Sequence, residues 1–241
     1  MVIDGDHAVT EDNQRIPLDE VTYLPVVPRP GKVICVGLNY AAHIEETHRE
    51  PSDYPVLFPK FATSLCGAYD DIPVPPEPEA IDYEGELVVV IGTTARRVSE
   101  ADALNHVAGY TIANDVTMRD YQGKTHQWMQ GKAWDRSTPV GPWLVTTDEI
   151  PDPTQLTLRT IVNGDVLQET TTDLMIFPIP TLVSTISEFA TLEPGDLILT
   201  GTPAGVGFRR EPQVLLKDGD VVAVEVDGIG RLENRFVAEQ T

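Results

Sequence analysis

The sequence predicts an α+β, β-rich fold with few short helices, and three observations carry that prediction. Pro (20 residues) and Gly (18) are frequent in a chain of 241, which divides it into many short elements. Short apolar runs closed by Gly, Asn-Gly or Asp-Gly recur along its length. Strands and helices do not alternate regularly, so a doubly wound parallel sheet is not indicated. The length suits one domain with a small appendage and is enough to bury a substantial core.

Residues 1–30 are polar and end in Pro25, Pro28 and Pro30, which reads as a short β appendage and a stiff lead-in; the main domain, 31–241, begins around Lys32. Val33 to Gly37 is a short apolar strand. Tyr40 to Arg49 is helix-compatible and polar, and Pro51 stops it. Glu86 to Ile91 is a strand whose Val-Val-Val indicates burial on both faces. Ser99 with Asp102 resembles a capping box for a short helix through Val107. Thr157 to Val162, Asn163-Gly164 and Val166 to Gln168 form a hairpin signature. Pro180 to Ala190 places Leu182, Val183, Ile186, Phe189 and Ala190 on one helical stripe. Leu197 to Thr200 is a buried strand. Val221 to Val226, Asp227-Gly228 and Arg231 to Val237 form a closing hairpin.

Charge and motifs exclude several classes. Asp plus Glu total 38 against 17 Lys plus Arg, a net charge of -21. Such a chain is repelled by phosphate backbones and anionic membranes, so neither nucleic acid nor membrane is an expected partner. Cys35 and Cys66 make neither a disulfide framework nor a C-x-x-C zinc site. Met1 to Thr10 has no basic stretch leading into an apolar core, and Leu87 to Ile91 is too short to span a bilayer, so a reducing cytoplasmic setting is expected. There is no G-x-S-x-G, no phosphate loop and no G-x-G-x-x-G. His43 and His48 bracket two glutamates. At i and i+5 they lie about 140° apart on a helix of 3.6 residues per turn and cannot share a zinc ion.

The informative stretch is Asp82-Tyr-Glu-Gly-Glu86. Glu84 and Glu86 lie two apart, so a strand projects both to one face. Side by side they repel unless a cation sits between them, and a hard oxygen-liking divalent ion, Mg²⁺ or Mn²⁺, suits such a site. The alternative is an exposed acidic edge. Asp115 ends the apolar stretch Tyr110 to Asn114 and is either a third ligand or a turn residue. His43 and Glu46 form an H-x-x-E pair that shares a helix face, which lets the carboxylate orient a general base. Arg119 can hold a carboxylate bidentately. Lys132, beside Trp134, is a candidate buried ammonium. Gly201 to Gly207 is a glycine-bearing turn that permits close backbone approach to a ligand.

Taken in order, Gly37-Leu-Asn-Tyr-Ala-Ala-His43, Phe58-Pro-Lys60, Asp82-Tyr-Glu-Gly-Glu86, Asn114-Asp115, Arg119-Asp-Tyr-Gln122, Gly131-Lys-Ala-Trp-Asp135, Leu192-Glu-Pro-Gly-Asp-Leu-Ile-Leu-Thr-Gly-Thr-Pro203 and Gly219-Asp220 resemble the fumarylacetoacetate hydrolase superfamily, over about Pro30 to Val237. The resemblance implies a mixed β-sheet roll of that family's C-terminal-domain type, and a homodimer. It implies Mg²⁺ or Mn²⁺ held by Glu84, Glu86 and Asp115, with no acid at Gly37-Leu38-Asn39 to supply the fourth carboxylate of larger members. It also implies a catalytic pair, His43 and Glu46, on a segment that orders as a lid. Lys132 matches a lysine beside the metal, and Arg119 and Gln122 match residues near the distal end of the substrate. Tyr40, Thr202 and Gly201 match substrate-contacting positions. The substrate class implied is a small anionic 2-oxo acid. Because water activation needs a base, hydrolytic C–C cleavage of an acylpyruvate such as fumarylpyruvate is the leading expectation. Isomerisation of a 2-hydroxyhepta-2,4-diene-1,7-dioate or decarboxylation of oxaloacetate at the same site is the alternative.

Overall fold

The protein is described from a computed structural model covering residues 1–240. Strands dominate, and they fall into mixed sheets that curl into a half-barrel. The larger sheet has seven strands in the order Val56–Lys60, Val33–Gly37, Leu197–Leu199, Gly85–Ile91, Val107–Asn114, Thr138–Thr146 and Leu65–Cys66. A five-stranded sheet runs Asp165–Thr171, Thr157–Val162, Val221–Val226, Gly230–Ala238 and Ile72–Val74. A small ladder joins Ile81–Asp82 to Thr117–Met118. The leading residues form their own three-stranded sheet, Val2–Asp4, His7–Val9 and Arg15–Pro17.

Every residue of Gly85–Ile91 is buried, as its unbroken apolar run requires of a strand covered on both faces. One side packs Leu87, Val89 and Ile91 with Ile112, Leu182 and Ile186; the other packs Val88 and Val90 with Cys35, Val140 and Leu199. The Asn163-Gly164 turn has both residues at positive φ (51° and 94°), the geometry that a type I′ hairpin demands. Ser99 caps the helix Glu100–Ala103, its hydroxyl accepting from the Asp102 amide at 3.3 Å.

Two readings are adjusted, and one strand has no sequence signal. The helix beginning after Ser99 is one α turn followed by a 3-10 turn, Leu104–His106, and Val107 already belongs to a strand. The later helix, Ile179–Phe189, buries Ile179, Leu182, Val183 and Ile186, but Phe189 is 59% exposed: it closes the helix, Ala190 is already extended, and the last turn overhangs the core. The nine-residue strand Thr138–Thr146 has no clear periodicity in sequence because Pro139, Gly141 and Pro142 interrupt it; pairing with Val107–Asn114 on one side and Leu65–Cys66 on the other makes it a strand.

Candidate active site

The site is set by strand register. Gly85–Ile91 runs antiparallel to Val107–Asn114 with Gly85 opposite Asn114 and Glu86 opposite Ala113. The next residue, Asp115, therefore lies beside Glu84, and its amide donates to the Glu84 carbonyl at 2.8 Å. Glu84, Glu86 and Asp115 are all buried, and one carboxylate oxygen from each lies within 4.8 Å of the others. The glycine between the two glutamates is required by crowding. A Cβ at Gly85 would sit 2.1 Å from the Thr160 hydroxyl of the second sheet. Gly201, at φ +100°, donates its amide to Glu86 Oε2 at 2.8 Å.

Cations surround two of the three acids. Lys132 Nζ donates to Glu84 Oε2 at 2.6 Å and to Asp115 Oδ2 at 2.7 Å. Lys60 Nζ donates to Asp115 Oδ1 at 2.6 Å. Arg119 reaches Glu84 Oε1 and Asp82 Oδ2, both at 2.8 Å. Burial penalises the Glu84 carboxylate, but Lys132 and Arg119 outweigh it and hold its pKa down at about 2. The Lys132 ammonium is likewise disfavoured by burial and held charged by Asp115 and Glu84, so its pKa lies above the ordinary lysine value.

Glu86 has no cationic partner. Burial, then the Asp115 and Glu84 charges, push its pKa well above the ordinary carboxylate range. A trio of convergent oxygen donors, one of them under-compensated in charge, fits a hard divalent cation.

Over this floor opens a cavity of about 210 Å³ lined by His43, Glu84, Arg119, Gln122, Lys132 and Thr202, with Phe58, Trp128 and Phe208 as apolar wall. His43 comes from the helix Ala41–Thr47, and its Nδ1 lies 2.7 Å from Glu46 Oε1, one turn on. Glu46 is fixed at its other oxygen by the Gly205 amide at 2.8 Å. The helix stops at His48, which closes it in the left-handed backbone conformation (φ 54°). Gln168 Nε2 donates to Thr202 Oγ1 at 2.8 Å while Gln168 Oε1 accepts from the Gly85 amide at 3.1 Å, tying the Thr202 loop to the backbone between the two glutamates.

The residues singled out in the sequence thus fall into three groups. His43, Arg119, Gln122, Lys132 and Thr202 line the cavity together with Glu84. Glu86, Asp115, Glu46 and Gly201 stand behind it, holding the lining residues or one another. Tyr40 does not reach it: its ring is 98% buried among the core residues, and its hydroxyl has no partner.

Arg119 lines the wall and engages Asp82, Glu84 and, at 3.1 Å, Gln122 Oε1 with its guanidinium. Lys60, Asp82 and Gln168 join the site through contacts that the local sequence does not signal. Lys60 and Asp82 stand inside quoted motifs, but only their buried ion pairs reveal a task. Gln168 sits in a hairpin strand with no local sign of its contacts.

The chain belongs to the fumarylacetoacetate hydrolase family: the sequence profile of the fumarylacetoacetate (FAA) hydrolase C-terminal domain matches residues 32–237. It is 46% identical over 226 residues to the mitochondrial oxaloacetate tautomerase FAHD2A of Bos taurus, covering 92% of this chain and 71% of that one, and 45% identical over 224 residues to the human counterpart with the same coverage. The fold superposes on the 5-carboxymethyl-2-hydroxymuconate delta-isomerase of Mycobacterium smegmatis (TM-score 0.83, 43% identity, 95% of this chain and 87% of that one). It superposes equally on the 2-hydroxyhepta-2,4-diene-1,7-dioate isomerase of Mycobacterium marinum (TM-score 0.83, 42% identity, 95% and 82%). The family is enzymatic, and its members named here are tautomerases and isomerases rather than acylpyruvate hydrolases. Among the described residues no helix is long and apolar enough to cross a membrane.

Proposed function

We propose that the chain is a divalent-metal-dependent tautomerase or isomerase of 2-oxo dicarboxylic acids, moving a proton between carbon and oxygen, or between carbons, next to the 2-oxo group. The observation that carries it is the meeting of the His43–Glu46 pair with Glu84, Lys132 and Thr202 on one cavity. Glu84, Glu86 and Asp115 would hold Mg²⁺ or Mn²⁺, which when bound supplies Lewis-acid stabilisation for negative charge developing on a 2-oxo group.

The chain's own groups do the rest. Glu46, anchored by Gly205, accepts from Nδ1–H of His43, which leaves Nε2 as the basic nitrogen. Nε2 takes a proton from the carbon next to the 2-oxo group and returns it to oxygen, or to a carbon further along an unsaturated chain. The imidazolium that forms between the two steps is stabilised by Glu46. Lys132 keeps fixed positive charge at the inner wall, where the substrate oxygen becomes more negative. Thr202 Oγ1 accepts from Gln168, so its own hydrogen is free to donate to the substrate's head carboxylate.

The same pair supports a second reading, hydrolytic C–C cleavage of an acylpyruvate, with His43 drawing a proton from water. Incubation of Mg²⁺-loaded protein with oxaloacetate, an unsaturated 2-hydroxy dioate and fumarylpyruvate, with products identified, separates the two. Enol–keto interconversion or a shifted double bond without a released acid supports the main reading; pyruvate plus a free acid as the dominant product replaces it with the second. No conversion of any of these overturns both. The proposal includes a homodimer, read from the solution mass, and a cytoplasmic setting, read from fractionation of cells; the vertebrate relatives carry a mitochondrial label.

A further inference from the structure

The cavity changes character from floor to mouth. Four basic side chains line it: Arg49, Arg119, Lys132 and Arg209. Arg119 and Lys132 are buried and bonded to Asp82, Glu84 and Asp115. Arg49 and Arg209 are exposed at the rim, and among the described residues neither has a carboxylate within 4.0 Å, although the chain carries 38 acids. Glu50 shares the outer groove with Arg49 without pairing to it.

Both rim guanidiniums are nonetheless positioned. Arg49 stacks over the Trp128 ring, 5.5 Å from its centroid, and Trp128 itself lines the cavity. Arg209 lies 5.5 Å from the Phe208 centroid and donates to the Thr47 carbonyl at 3.4 Å. Stacking engages the face of a guanidinium and leaves its N–H edge available, the edge that matches a carboxylate.

Charge accounting gives these two arginines a purpose. At the floor, Asp82, Glu84, Glu86 and Asp115 oppose Lys60, Lys132 and Arg119, so a divalent ion would leave a surplus of one positive charge. That surplus offsets one charge of a dianionic ligand and leaves the second to the two rim cations.

We propose that Arg49 and Arg209 together form a distal-carboxylate subsite, which selects 2-oxo dicarboxylates over 2-oxo monocarboxylates of the same length. This rests on the functional reading above and names the residues that would read the second carboxylate of its substrate class.

The test measures binding, so that it does not depend on turnover. Calorimetry on the Mg²⁺-loaded protein compares 2-oxoglutarate with 2-oxopentanoate, which has the same carbon count and no distal carboxylate. The wild-type protein should prefer 2-oxoglutarate by about tenfold or more, as expected for charge-assisted hydrogen bonds at a half-open site. That preference should shrink as salt is raised. In the Arg49→Gln/Arg209→Gln double variant the two ligands should bind alike, with 2-oxopentanoate unchanged; the Arg49→Lys/Arg209→Lys double variant should keep part of the preference. Absence of preference in the wild type, its survival in the Gln double variant, an equal loss for both ligands, or failure of 2-oxoglutarate to bind the wild type overturns the subsite. A retained preference in a protein that converts no 2-oxo acid instead overturns the functional reading and leaves the subsite standing.

Discussion

The floor and the rim of the cavity are built on opposite terms. The floor is made by Glu84, Glu86 and Asp115 at the adjoining ends of two adjacent strands that are buried but for Ala108, with every cation nearby already bonded to an acid. The rim comes from the seven-residue helix Ala41–Thr47 with the turn after it and the segments at 122–128 and 205–210, where buried His43 bonds to half-buried Glu46 and the exposed Arg49 and Arg209 stack on aromatic rings. A centre that concentrates like charge must be rigid and dry, because Coulomb attraction to a cation is strongest where water is excluded. A group that passes protons and admits a ligand needs a face open to solvent. Damage to the floor should therefore cost both stability and activity, whereas damage to the rim should cost activity or affinity alone.

The sharpest way to break this contrast is to remove the cation. Chelation should lower turnover by roughly 10³-fold or more, the order expected when a Lewis acid worth several kcal/mol is lost. Mg²⁺ or Mn²⁺ should restore it, and thermal melting should follow the metal. Full activity in excess chelator would remove the cation from the argument. Next in size is Lys60→Met, which leaves Asp115 with one of its two buried ammonium partners missing. A loss of about 3–5 kcal/mol in denaturant unfolding is expected from breaking a buried ion pair. A melting curve like the wild type's would show that Lys60 is not part of the floor.

His43→Ala should reduce kcat by about 10²–10⁴-fold with unfolding and metal affinity unchanged, as removal of a general base would. Metal release in that variant would move His43 from the rim to the floor. The smallest effect is on pH. Glu86 has a folded-state pKa above its unfolded value, so between the ordinary carboxylate range and the raised value the metal-free folded protein binds more protons than the unfolded chain. Its stability falls as pH rises through that window. Glu84, held down at about 2, acts in the other direction: its contribution is present above the ordinary carboxylate pKa and is lost as pH falls toward 2. The melting increment from Mg²⁺ should accordingly be larger at pH 8 than at pH 5. An equal increment at both would mean that Glu86 is ionised without the cation.

Much of this was legible without coordinates. Local pattern carried it where side-chain alternation or turn chemistry is decided within a few residues: the buried run ending at Ile91, the Asn163-Gly164 hairpin, the Ser99 cap and the shared face of Glu84 and Glu86. It also carried His43 with Glu46, because residues three apart on a helix must be neighbours. It was silent where the partner comes from far along the chain. Lys60 meets Asp115 across 55 residues, Gln168 meets Gly85 across 83, and Glu86 meets Gly201 across 115.

The sequence by itself determined which side chains can carry charge, which short segments are strands or helices, and which acids lie side by side on one strand. Only the tertiary structure decided that Asp115 joins them, that Arg119 is committed to Asp82 and Glu84, that Tyr40 stays in the core, and that Arg49 and Arg209 stand unpaired at the mouth. The reason is that strand periodicity is local, while register and burial are not. One residue of slip between Gly85–Ile91 and Val107–Asn114 would turn the third carboxylate to the other face, and only packing of the whole sheet excludes that slip.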